Sequence, residues 1–216
     1  MSKPYDLVVF DWEGTLGDTL GQILYAFANE AKRLQLGAFD MELGRKCIVL
    51  GPVVAVRKLF PYLPTHEQSD LLQAAQLAMI SNTAEVCLMF GAHDVLQKIK
   101  QAGMQLAIAT NKGQQSLARD LVASHLDELF NVTRAAGQAP AKPCPQMLEE
   151  IMFECNVSPD RTLMVGDSTS DIEMAKNAGV MAIGVDFYHQ NESILRSAGA
   201  HEVIDNFQQL AKILAL

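Results

Sequence analysis

The chain has 216 residues, 49% of them hydrophobic and 19% charged, so it can bury a core and is not a disordered polymer. Its net charge is -8 and no Lys/Arg run exceeds two residues, which argues against nucleic acid as a partner. No stretch approaches the roughly 18 apolar residues of a membrane span, the first residues carry no signal-peptide pattern, and Cys47, Cys87, Cys144 and Cys155 lack C-x-x-C spacing, so we expect a cytoplasmic protein with reduced thiols and no membrane partner.

Along the chain, Tyr5–Phe10 (YDLVVF) reads as a short buried strand. Leu20, Ile23, Leu24, Phe27, Ala31 and Leu34 then recur at helical spacing, and Gly37 suits the stop. From about 41 to 84 the pattern stays helical, punctuated by Gly44, Gly51, Pro61 and Pro64, with no convincing strand. After Gly91 a helix ends at Gly103, and MQLAIAT forms a strand ending at Thr110. A helix at about 114–125, an extended piece near Asn131–Arg134 and a loop rich in Ala, Pro and Gly follow. Pro145–Cys155 is helical, RTLMVGD a strand, SDIEMAKNAG a helix, MAIGVD a strand and Phe207–Leu214 a last helix. Strands alternating with helices of about 10–15 residues predict an α/β fold with a Rossmann-like, doubly wound parallel sheet. The all-helical stretch predicts an inserted α-helical cap domain at 17–87, leaving 1–16 and 88–216 as the core.

In an open parallel sheet, ligands bind beyond the carboxyl ends of the strands. Three predicted strands end there in polar groups: Asp11 after VVF, Thr110-Asn111 after LAIA, and Asp167 after LMVG. Lys142 lies in a loop that can reach the same edge. Singly, each residue has a plainer reading. An Asp after a strand commonly forms a turn or caps a helix, and so does a Thr. Asp171 alone would favour a helix start, and Lys142 alone would be a solvated surface residue. As an ordered set they offer carboxylates, a hydroxyl, loop amides and one cation. That chemistry suits a phosphoryl group with a divalent metal, and hard oxygen donors favour Mg²⁺. The histidines and cysteines show no metal spacing.

These motifs resemble the haloacid dehalogenase superfamily over nearly the whole chain. FDWEGTLGDT is similar to its first motif, usually D-x-D-G-T-[LV]; LAIATNK to the second, AKPCPQML to the third, and MVGDSTSDIEMAKNAG to the fourth. The helical insert, TNK and KPxPxML resemble the branch of phosphoglycolate phosphatases. The resemblance implies a phosphatase acting on a small phosphorylated metabolite through an aspartyl-phosphate. Asp11 would be the nucleophile. Mg²⁺ would sit on Asp11, the backbone carbonyl of Glu13 and Asp167, with Asp171 in support. Thr110, Asn111 and Lys142 would hold the transferring group, and Gly14 would let the chain turn beside it. Glu13 stands where the family usually has Asp, as acid and base for the leaving oxygen and the water.

Other readings of the same residues exist. Phosphonoacetaldehyde hydrolases carry D-W-A-G-T and need a cap lysine, for which Lys46 and Lys58 are candidates, although Glu13 is not the small Ala. A phosphomutase would share these motifs. A weakly catalytic, phosphate-binding regulatory protein is the rival of another class, favoured only by Glu13. Within the insert, Arg45, Lys46, Arg57 and Lys58 are candidate partners for a substrate anion.

Overall fold

A computed structural model describes residues 4–81 and 86–216. Contacts between Cα atoms divide the chain into two units, one made of Met1–Gly17 with Leu88–Leu216, the other Asp18–Cys87. The first is the α/β unit. Its six strands are β1 (Leu7–Phe10), β2 (Gln105–Gly113), β3 (Val132–Ala136), β4 (Thr162–Gly166), β5 (Met181–Val185) and β6 (Glu202–Ile204). They form one parallel sheet in the order β3-β2-β1-β4-β5-β6. That is the doubly wound order, in which the chain builds outward from β1 on one side and then restarts with β4 on the other. The carboxyl ends of β1 and β4 therefore flank the crevice where the winding reverses.

Alternation along the strands builds the two faces of this sheet. Leu7, Val9, Ala107, Ala109 and Met164 pack on one face with Met147, Leu148 and Ile151 of α7 (Gln146–Cys155), Ile172 and Ala175 of α8 (Thr169–Asn177), and Leu195 of α9 (Glu192–Ala198). Val8, Phe10, Leu106 and Ile108 alternate with them and are equally buried. There α5 (Ala92–Gln101) packs on β2, and α10 (Phe207–Ile213) packs on α5. β1 is buried at all four positions, as a strand covered on both faces must be. The remaining helix, α6 (Gln114–Ala123), contacts β2 and β3.

The second unit is helical throughout its described residues: α1 (Thr19–Arg33), α2 (Met41–Ile48), α3 (Pro52–Leu59) and α4 (Thr65–Ser81). It has its own core of Leu24, Phe27, Ala31, Cys47, Ile48, Ala55, Val56, Phe60 and Leu71, among others. Asp18 caps α1, accepting the Gly21 N–H at 2.7 Å. No described helix is long and apolar enough to cross a membrane.

Four expectations need correction. α1 stops at Arg33 rather than running to Gly37. Leu36 N–H reaches the Ala31 carbonyl at 2.9 Å and Gln35 N–H the Lys32 carbonyl at 3.2 Å, a Schellman ending with Gln35, at φ 55°, in the left-handed position. Gly44 punctuates nothing, because it lies inside α2. A Cβ there would sit 3.1 Å from Leu24 Cδ2 and from Phe39 Cε1, so Gly44 allows close packing rather than a turn. β2 does not end at Thr110: it continues to Gly113 through an irregularity in its pairing with β3. Finally, α9 and β6 follow β5, where the sequence pattern showed neither element. Each buries a single residue, Leu195 in α9 and Ile204 in β6, so neither carries an apolar period.

Candidate active site

Two glycines shape the site. Gly14 has φ 75°, and a Cβ there would stand 2.1 Å from Asp167 Oδ2; at Gly166 a Cβ would stand 2.4 Å from Asp171 Cγ. The backbone is bare where the acids must gather. Asp11 leaves β1, Asp167 leaves β4, and Asp171 comes from the first turn of α8. One carboxylate oxygen from each lies within 4.8 Å of the other two.

Lys142 joins them. Its Nζ stands 2.8 Å from Asp11 Oδ1 and 2.6 Å from Asp171 Oδ1, and its side chain is 2% exposed. The Lys142 N–H donates to Asn111 Oδ1 at 3.0 Å, so the end of β2 fixes the lysine loop. Asp171 is held from the other side as well, its Oδ2 accepting the Ser168 N–H at 3.1 Å and the Ser168 hydroxyl at 2.7 Å. This closes the start of α8 as a capping box. Asp11 Oδ1 also accepts the Trp12 N–H at 2.7 Å, and Thr110 hydrogen-bonds the same carboxylate. Thr110 Oγ1 in turn accepts the Lys112 N–H at 3.2 Å.

Three carboxylates face one ammonium, which leaves two negative charges in excess when all are ionised. Asp11 is raised from the usual 3.8 to about 6, first by burial and then by Asp171, against the pull of Lys142. Asp167 is raised to about 7, by burial and then by Asp11 and Asp171. Burial pushes the Lys142 ammonium down, but Asp11 and Asp171 outweigh it and the net direction is up. Strong perturbation in a cleft at a sheet's switch point marks a functional site.

A pH test follows. Between about pH 4 and pH 7 the folded protein holds a proton on Asp167 that the unfolded chain has released. Stability of the metal-free protein therefore falls as pH rises through that window. Asp167→Asn cannot carry the charge and escapes the loss. The difference in Tm between wild type and Asp167→Asn, measured in chelator, is expected to move in favour of the variant from pH 4 to pH 7. Parallel profiles would contradict this.

Glu13 stands apart from the acid cluster. Its side chain is 51% exposed, and Oε1 lies 3.0 Å from Lys112 Nζ. The same ammonium lies 3.2 Å from Asp120 Oδ2, which also accepts the Trp12 indole N–H at 3.0 Å. From sequence, Trp12 enters only through the D-W-x-G-T echo and Lys112 only within TNK, and neither they nor Asp120 carry a role there. The signal available was slight: the chain's single Trp between two acids, and a Lys two residues after Thr110. In the helical unit, Lys46 pairs with Glu42 at 2.8 Å on the exposed face of α2, and Arg45 lies 3.7 Å from Asp18. Arg57 and Lys58 are exposed on α3.

Comparison with known proteins gives the chain's relatives. The family model described as haloacid dehalogenase-like hydrolase matches residues 8–185. The phosphoglycolate phosphatase of Mesorhizobium japonicum is 31% identical over 228 residues, covering 100% of this chain and 96% of its own. The pyrophosphatase PpaX of Bacillus mycoides is 29% identical over 210 residues, covering 96% of each chain. Among solved structures, CbbY from Rhodobacter sphaeroides in complex with phosphate superposes with a TM-score of 0.63 at 26% identity, over 98% of this chain and 100% of that one.

Proposed function

We infer the reaction from a plain premise: the chain belongs to the haloacid dehalogenase-like hydrolase family and is an enzyme of that class. The reaction is the Mg²⁺-dependent hydrolysis of a small phosphomonoester through an aspartyl-phosphate, with a phosphoglycolate-like metabolite as substrate. One observation carries this reading. Asp11, Asp167 and Asp171 converge beyond the strand ends beside a buried Lys142.

The residues fit a hard divalent cation. All three donors are carboxylates, and their excess of two negative charges is unmatched within the cluster. Asp11 and Asp167 would hold the ion together with the backbone carbonyl of Glu13, and Asp171 would support it. When bound, Mg²⁺ screens the phosphoryl oxygens and lowers the repulsion between two anions.

The chain's own groups do the rest. Asp11 attacks phosphorus, and the phosphoryl group passes to its carboxylate. Lys142 has three N–H donors, of which Asp11 and Asp171 take two, so one remains for a phosphoryl oxygen. Thr110, which hydrogen-bonds Asp11, and the backbone N–H of Asn111 beside it suit the other oxygens. Glu13 gives a proton to the leaving oxygen and then takes one from the water that frees Asp11.

The phosphonoacetaldehyde hydrolase reading finds less support. A lysine that forms an imine needs a depressed pKa. Lys46 is exposed, and its hydrogen bond and charge pairing with Glu42 push it up. Lys58 is exposed too.

Turnover of an activated aryl phosphate, followed by a screen of phosphorylated metabolites, tests the reading. Exhaustive EDTA treatment is expected to abolish activity, and added Mg²⁺ to restore it. Full activity in EDTA would remove the metal from the mechanism.

A further inference from the structure

The proposed reaction assigns acid and base duty to Glu13, yet that side chain is half exposed. An exposed glutamate samples several rotamers, and catalysis requires one. Three groups restrain it. The indole N–H of Trp12, whose ring is buried, donates to Asp120 Oδ2 at 3.0 Å. That same oxygen lies 3.2 Å from Lys112 Nζ, and Lys112 Nζ lies 3.0 Å from Glu13 Oε1. Trp12 and Glu13 are neighbours, so the contacts close a ring through one peptide bond. Lys112 and Asp120 are better shielded than Glu13, at 17% and 20% exposed.

We propose that Lys112 and Asp120 are positioning residues, a tether that holds the Glu13 carboxylate in the rotamer the reaction needs. This rests on the role given to Glu13 above. An Asp at position 13 would reach about 1.5 Å less far toward Lys112, one C–C bond. Glu at this position and Lys at 112 therefore work as a pair. The lysine touches no reacting atom and acts through Glu13 alone.

The test is a double-mutant cycle read as kcat and KM, with saturating Mg²⁺, on an activated aryl phosphate and on an alkyl phosphate. Lys112→Met is expected to lower kcat about tenfold with KM unchanged, and more on the alkyl ester, whose leaving oxygen needs the proton. Lys112→Arg should recover most of the rate, because its guanidinium can still bridge the two carboxylates. Asp120→Asn should cause a smaller drop of the same kind. In a Glu13→Ala background, Lys112→Met should change kcat less than about twofold. A structural role for Lys112 would give the same factor in both backgrounds and overturn the tether. A raised KM at unchanged kcat would overturn it too, by showing that the lysine binds substrate directly. Lys112→Gln provides the same reading if Lys112→Met does not fold. Failure of the wild-type protein to hydrolyse any phosphate ester would instead strike the proposed reaction, and the tether would fall with it.

Discussion

Asp11→Asn is expected to abolish turnover while the fold persists. The amide is nearly isosteric with the carboxylate, but it is neutral and cannot attack phosphorus as an anion. Nothing in the packing opposes the change. Asp11 is a charge in a crowded place, raised to about 6 by its burial and by Asp171. Removing that charge relieves repulsion, and Lys142 keeps Asp171 as a partner at 2.6 Å. Thermal stability in chelator should therefore equal or exceed that of wild type. The rate should fall below about a hundredth of wild type, measured with saturating Mg²⁺. A variant that folds and retains more than that would count against covalent catalysis at this position.

Removing the carboxyl of Glu13 should cost nearly as much. Glu13→Ala is expected to lower kcat by about 10²–10⁴-fold, the range for losing general acid and base help. The side chain is half exposed, so its truncation leaves no cavity and stability should change little. Glu13→Asp keeps the chemistry and should stay within about tenfold of wild type. Comparing substrates makes the assignment specific. An aryl oxide leaves readily without a proton, whereas an alkoxide does not, so the Ala penalty should be larger on the alkyl phosphate. Equal, small penalties on both would mean that Glu13 contributes only its backbone carbonyl.

The pH and metal effects share an origin with these two. The acid cluster is assembled at a cost in repulsion, which the metal-free protein partly relieves by keeping protons on Asp11 and Asp167. A cation bound by these carboxylates would displace those protons. Metal affinity should accordingly rise with pH over the range in which they titrate.

Much was determined by the sequence alone. Local periodicity marks the long elements, because an apolar strand such as LVVF and an amphipathic helix such as α5 each carry their burial pattern within a few residues. The motif positions are also local. Asp11 and Asp167 stand where a strand runs out, and the motifs' order along the chain carries the family. Tertiary structure alone decided which of these residues meet. Lys142 and Asp171 are 29 residues apart, yet their side chains lie 2.6 Å apart, because the sheet returns β4 beside β1 and the start of α8 faces the lysine loop. Glu13 meets Lys112 across 99 residues, and Trp12 meets Asp120 across 108. No period or composition encodes such pairs. They depend on strand register and on the direction in which each side chain leaves its backbone, both set only when the whole sheet is packed.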